Sequence, residues 1–279
     1  MASEISAITG KGGSVLRNRI KEVLEAGRVA VGTWINMKCP EACEAAAAAG
    51  FDFVVVDMEH GGFDLEGTTE LVRAVEAGGS TPVLRILDSS PATIQKALEA
   101  GVVVIFVSEV RTGEEAQEIV RAAKYPTLGR RGSSPYIRAT MHGIVDWKEY
   151  TEWAEKNVMV WVMVENTDAV KNIDAILSSG VDAICVGPYD LSMFMGLKGD
   201  FRHPDVVATE ERIIKLAVSR GIDVVADLDC IREGEITPEE YLAATRAWRK
   251  KGGRIVTVLN DRKLLTDAYK KMLAKFREL

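Results

Sequence analysis

The sequence is poor in the residues on which small metal- or disulfide-stapled proteins depend: 279 residues contain four cysteines, Cys39, Cys43, Cys185 and Cys230, and only three histidines. Scattered thiols exclude a disulfide framework, and one C-x3-C spacing at Cys39 and Cys43 is too little for a zinc site. Reduced, mostly buried thiols are expected. No stretch approaches eighteen uninterrupted apolar residues, which excludes a membrane-spanning helix, and the opening MASEISAITGKGGS lacks the apolar core of a secretion signal. The expectation is a soluble, cytoplasmic protein. A net charge of −6 gives no surplus of cations to displace counterions from nucleic acid, while a local basic pocket for a small anion stays open. No Pro- or Ser-rich linker divides the chain. One domain is therefore expected over residues 17–279, behind a flexible tail at 1–16 whose TGKGGS lacks both the preceding strand and the spacing of a phosphate loop.

What the chain does have is rhythm. Apolar runs recur at VAVGTWI (29–35), FVVVDM (53–58), PVLRIL (82–87), VVVIFV (102–107), VMVWVMV (158–164), AICVG (183–187), DVVAD (223–227) and RIVTVL (254–259). Most are continuous rather than alternating, as strands buried on both faces should be. Between them lie helix-like stretches such as PEACEAAAAAG (40–50), TIQKALEAG (93–101), GEEAQEIVRAAKY (113–125) and AVKNIDAILSSG (169–180). Eight strands alternating with helices predict a single-domain α/β fold, the (β/α)8 TIM barrel, with an open doubly wound sheet as the competing arrangement. Two segments fall outside the rhythm: a long connection over 126–153, rich in Gly, Ser and Arg, and an acidic turn leading into an amphipathic helix over 232–253.

In such a barrel the working residues lie at the carboxyl ends of the strands. The second strand ends in Asp57, Glu59 and His60, and the third carries Arg85. The fourth is followed by Ser108 and Glu109, the fifth by Glu165, the sixth by Asp190, and the seventh by Asp227 and Asp229. Charges directly after buried strands are costly unless paired or bound, so a ring of acids with one Arg and one His points to a site. Two carboxylates at one mouth, with water and substrate oxygens filling the other positions, suit a hard divalent cation, Mg2+ or Mn2+, better than zinc. None of these strand ends supplies the buried lysine that imine chemistry needs.

LEAGRVAVGTWI, AAAGFDFVVVDMEHGGFD, TPVLRI, AAKYPTLGRRGSS, VMVENTDAVKNIDAIL and VDAICVGPYDLSMFMG, in that order, resemble the metal-dependent (class II) pyruvate aldolases of the HpcH/HpaI aldolase/citrate lyase family from about residue 17 to the end. The resemblance implies a barrel assembled as a homo-oligomer, a hexamer or trimer of dimers, that binds pyruvate on Mg2+, Mn2+ or Co2+. It implies Glu165 and Asp190 as metal ligands, His60 as general base, Asp57 as its partner and Arg85 as the stabiliser of the enolate oxygen. The segment Gly187, Pro188, Tyr189 to Asp190 is expected to bind substrate, its available main-chain N–H groups holding a carboxylate, with Gly187 and Pro188 alternatively only shaping the turn, and Trp34 stands as either a pocket wall or a core residue. The activity implied is reversible cleavage of a 4-hydroxy-2-oxo acid to pyruvate and an aldehyde, with no nucleic acid or membrane partner.

Three positions depart from the family pattern: Met163 where Gln is frequent, VSEV after the fourth strand, and the acidic VVADLDC at the seventh. Two other readings use the same residues: decarboxylation of oxaloacetate or a related oxo acid with capture of the enolate, and a catalytically silent barrel that binds an oxo acid. Arg130, Arg131 and Arg138 in the long connection are candidates for a second substrate carboxylate, or for solvent or subunit contacts.

Overall fold

Eight strands pair in parallel and in chain order, and β8 returns to β1 to close a barrel in the computed structural model, which describes residues 17–231 and 236–278. They are β1 (Ala30–Ile35), β2 (Phe53–Asp57), β3 (Thr81–Ile86), β4 (Val104–Val107), β5 (Met159–Val164), β6 (Ala183–Val186), β7 (Asp223–Asp227) and β8 (Ile255–Asn260). The continuous apolar runs have their reason in two separate layers. One set of side chains, including Trp34, Phe53, Val55, Phe106, Trp161 and Val225, fills the barrel interior. The alternate set, including Val54, Val56, Leu84, Ile105 and Val162, packs outward under the helices. Gly32 is required by the first layer: a Cβ there would fall 2.2 Å from the ring of Phe53.

The helices are α1 (Arg19–Glu25), α2 (Pro40–Ala48), α3 (Leu65–Ala77), α4 (Pro91–Glu99), α5 (Gly113–Ala123), α6 (Trp147–Asn157), the short pair α7 (Thr167–Lys171) and α8 (Ile173–Leu177), then α9 (Pro188–Phe194), α10 (Pro204–Ser219), α11 (Pro238–Lys250) and α12 (Asp261–Phe276). Their starts follow capping chemistry: Asp64, Ser90, Thr112 and Asn166 each accept a first-turn N–H, and Thr237 with Glu240 forms a full capping box. α1 differs from the rest, since Ile20, Val23 and Leu24 join the interior cluster.

The expected long connection over 126–153 is shorter than that. Asp146 caps α6, which begins at Trp147 and buries Tyr150 and Ala154, so aromatic packing of Trp147 and Tyr150 with Tyr125 turns the second half of the segment into a helix. Its arginines are engaged away from the barrel mouth: Arg130 pairs with Glu118, Arg138 with Glu76, and Arg131 is buried beneath Tyr125 and Tyr150. Cys43 and Cys185 are buried free thiols, and Cys39 is half-buried at the start of α2. Among the described residues no helix is long and apolar enough to cross a membrane. The expected tail at 1–16, the opening of the acidic turn at 232–235 and the side chain of Cys230 lie outside the described residues.

Candidate active site

The carboxyl ends of the strands surround a cavity of about 610 Å³, with Trp34 and Met163 among its apolar lining residues and Asp57, His60, Arg85 and Asp190 among its polar ones. One of its lining residues is a fully buried carboxylate. Asp57 ends β2 with no exposed surface, and Arg85 of β3, in register beside it, donates Nε to Oδ1 at 2.7 Å and Nη2 to Oδ2 at 2.6 Å. This two-pronged geometry is the strongest pairing a guanidinium makes, and it holds both charges out of water. The amide of Asn36 also donates to Asp57 Oδ2, and the main-chain N–H groups of Glu59 and His60 donate to Oδ1 at 3.1 and 3.4 Å. Asp57 therefore reaches His60 through the main chain, while its carboxylate faces Arg85. The His60 side chain stands exposed at the rim.

Glu59 has a definite place. Its Oε2 lies 3.2 Å from Arg85 Nη1 and accepts the hydroxyl of Ser108 at the end of β4. Arg85 Nη1 also points at the thioether of Met163, 3.7 Å away, and the guanidinium lies 4.6 Å over the ring of Trp34. A thioether is a weak acceptor, so the Nη1 hydrogen on the Met163 side, unlike the one toward Glu59, is the one most easily turned to a substrate oxygen. Trp34 combines both expected roles: it is 5 % exposed and packs on Phe106, yet it lines the cavity and donates Nε1 to Thr257 Oγ1 at 2.9 Å.

Glu165 stands just past β5, is 2 % exposed, and interacts electrostatically with both Arg85 and Glu59. Glu109, whose own side chain is exposed, donates its main-chain N–H to Glu165 Oε1 at 2.6 Å. Burial pushes the Glu165 carboxyl up to about 7 against that hydrogen bond, and repulsion from Glu59 and Asp190 pushes the same way, with Arg85 opposing. A buried carboxylate with two acids close by fits a hard cation with oxygen ligands. Among the described residues no group of three or more His, Cys, Asp or Glu side chains forms a metal cluster. Glu165 and Asp190 supply two carboxylates here, and a cation held between them would take its other ligands from water or substrate oxygens.

Gly187 keeps this side open. A Cβ at that position would lie 2.8 Å from both Cβ and Oε2 of Glu165 and 3.1 Å from Met163 Cε. Gly187→Ala is expected to displace the carboxylate and weaken divalent-ion affinity by about tenfold or more, measured by calorimetric titration. The same segment corrects one expectation. Gly187 donates its N–H to Val164 O at 3.2 Å and Pro188 has none, which removes both from the expected carboxylate cradle. Tyr189 lies about half exposed against Phe201, with Asp190 beside it in the first turn of α9.

The seventh strand brings a second acidic pair to the cavity. Burial, then Asp229, raises the carboxyl of Asp227 to about 6. Asp229 accepts the hydroxyl of Tyr241 and the N–H of Leu259. Four further residues of the mouth carry no signal in the sequence reading: Asn36, Asn260, Asp261 and Arg262 are joined to one another and to the Asp57 pair by hydrogen bonds. A polar Asn at each of two adjacent strand ends, β1 and β8, is the hint that was available.

A family model described as HpcH/HpaI aldolase/citrate lyase matches residues 30–254. The chain belongs to the HpcH/HpaI aldolase/citrate lyase family. Within it, a 5-keto-4-deoxy-D-glucarate aldolase of Escherichia coli O157:H7 (strain EC4115 / EHEC) is 32 % identical over 265 residues, covering 95 % of this chain and 98 % of the relative. Among solved structures, a family protein from Burkholderia cenocepacia J2315 superposes with a TM-score of 0.82 at 30 % identity, covering 94 % of this chain and all of that one. An HpcH/HpaI aldolase from Desulfitobacterium hafniense DCB-2 gives 0.82 at 27 %, with 93 % and 97 % covered. The protein is accordingly a carbon–carbon lyase of the aldolase type, on a closed eight-stranded barrel.

Proposed function

We propose that this protein catalyses reversible aldol cleavage of a 4-hydroxy-2-oxo acid to pyruvate and an aldehyde, with a divalent ion, Mg2+ or Mn2+, held by Glu165 and Asp190. The observation that carries the reading is one cavity lined by a charge-paired Asp57–Arg85, by His60 and by Asp190, with the under-compensated carboxylate of Glu165 directly behind the lining residue Gly187. The substrate named for the Escherichia coli relative is itself, counted from its keto end, a 4-hydroxy-2-oxo acid, which supports the substrate class.

When bound, the ion supplies Lewis acidity at the keto oxygen of the substrate. The Nη1 edge of Arg85, facing Met163 and the cavity, stabilises the negative charge that develops on that oxygen as the C3–C4 bond breaks. Asp57 and Glu59 keep the guanidinium aimed there. The imidazole of His60, or a water it holds, accepts the C4 hydroxyl proton; in the synthetic direction the same group takes a proton from pyruvate. The apolar surface of Trp34 and Met163 narrows the space beside the reacting carbons.

His60→Ala is expected to lower aldol cleavage by about a hundredfold to ten-thousandfold, while loss of oxaloacetate persists because decarboxylation relies on the ion and Arg85 more than on a base. Pyruvate release from several 4-hydroxy-2-oxo acids with Mg2+ or Mn2+ is the measurement. No pyruvate from any of them would overturn the reading. A homo-oligomer, hexamer or trimer of dimers, belongs to the same proposal. It is supported by α12, whose Leu264, Tyr269, Met272 and Phe276 are all more than half exposed.

A further inference from the structure

Three consecutive residues at the junction of β8 and α12 all reach back across the barrel mouth. Asn260 donates its side-chain amide to Asn36 Oδ1 at the end of β1. Asp261, 9 % exposed, accepts the main-chain N–H groups of Asn36 and Met37, each at 3.0 Å. Arg262 donates Nη2 to Asn36 O at 2.8 Å and Nη1 to His60 O at 3.0 Å. The one remaining polar group of Asn36, its side-chain amide N–H, donates to Asp57. Every polar group of Asn36 is thus engaged, and the chain of contacts runs from α12 to the centre of the site.

His60 needs such an anchor. Its side chain is exposed, so packing does not set its direction, and of the two glycines that follow, Gly61 is tied back by its N–H to Asp57 O at 2.9 Å while Gly62 has open space around it. What holds the residue is its own peptide groups: the N–H is taken by Asp57 and the C=O by Arg262. A charged donor on a carbonyl is stronger than a neutral one and sets direction as well as distance.

We propose that Arg262, with Asn36 relaying the contact to Asp57, is a positioning residue that fixes the main chain of His60 and hence the reach of its imidazole, a role that rests on the reading of His60 as the proton acceptor. Arg262 touches no reacting atom. It acts by holding the base within the narrow range of geometries that proton transfer accepts, where a displacement of about 1 Å costs on the order of a hundredfold in rate.

The test compares the metal-loaded wild type with Arg262→Ala and Arg262→Lys. In Arg262→Ala the turnover number for aldol cleavage falls by about tenfold to a hundredfold, while KM stays within about twofold, because the groups that hold the oxo acid are untouched. Arg262→Lys recovers part of the loss, since an ammonium can reach one of the two carbonyls, and added methylguanidinium restores the alanine variant. Hydrogen–deuterium exchange gives a readout that needs no turnover: the peptide covering residues 58–63 exchanges faster in Arg262→Ala, with β4 to β6 unchanged. Unchanged exchange at 58–63, or a turnover number equal to that of the wild type, overturns the proposal. So does a uniform rise in exchange with a matching rise in KM, which would mark Arg262 as scaffold only. If the wild type cleaves no 4-hydroxy-2-oxo acid, it is the functional reading that fails, and exchange at 58–63 decides the positioning role alone.

Discussion

Asp57→Ala is expected to lower stability by about 3–5 kcal/mol and to abolish aldol cleavage at the same time. The size follows from what the substitution leaves behind. Arg85 is 8 % exposed and its guanidinium is held in place by both oxygens of Asp57. Without them a full positive charge stays in the barrel, its remaining ion pair among the described residues being the one with Glu59, with Glu165 a further acid nearby. The amide of Asn36 and the N–H groups of Glu59 and His60 also lose their acceptor. Urea denaturation reads the stability. A double variant, Asp57→Ala with Arg85→Met, should regain much of it, because removing both charges removes the uncompensated ion, yet it should stay inactive because nothing then stabilises the enolate oxygen. A double variant no more stable than Asp57→Ala would show that the lost packing, not the orphaned charge, dominates.

Glu165→Gln is expected to remove divalent-ion binding and activity while stabilising the metal-free protein. The Glu165 carboxyl, raised to about 7 chiefly by burial, prefers its protonated form in the folded chain. For a carboxyl whose folded value lies above its unfolded one, the favourable contribution is complete below the unfolded value and is lost as pH rises through about 7. At pH 8 the metal-free protein therefore carries a buried, ionised carboxylate that Gln does not, a difference on the order of 3 kcal/mol. Ion binding reverses the balance, because the cation requires the ionised form. Apparent affinity for Mn2+ in the wild type should fall by about tenfold per pH unit below 7 and level off above it. Titration calorimetry between pH 5.5 and 8.5 and melting temperatures in chelator measure the two halves. A pH-independent affinity, or a Gln variant that melts lower than the wild type at pH 8 without metal, would count against this account.

Much of this was legible in the chain. All eight strands fall within two residues of their expected ends, since a strand buried on both faces must read as an unbroken apolar run. Asp57, Arg85, Glu165 and Asp190 stood out because a charge directly after such a run is costly unless it caps a helix, pairs or binds something, and several at one barrel mouth point to a site. α6 was not, because the Gly-, Ser- and Arg-rich half of 126–153 masked a helix whose stability comes from aromatic packing with Tyr125. The Arg85 contact of Asp57 was not legible either, while its contact with His60 runs through the main-chain N–H. A histidine three residues away is the nearest candidate in sequence, whereas Arg85 is the nearest in register across the sheet.

By itself the sequence determined the repeated strand–helix rhythm, which favours a closed barrel over an open sheet, and which strand ends carry charge. Those depend on the order of apolar and polar residues, which the chain states directly. Only the tertiary structure decided who holds whom: that Asp57 grips Arg85, that Glu59 joins Ser108 to that pair, and that Asn36 and Arg262, separated by 226 residues, meet at the mouth and secure His60. Closing the barrel sets β8 beside β1, and contacts between the first and last strands cannot be read from spacing along the chain.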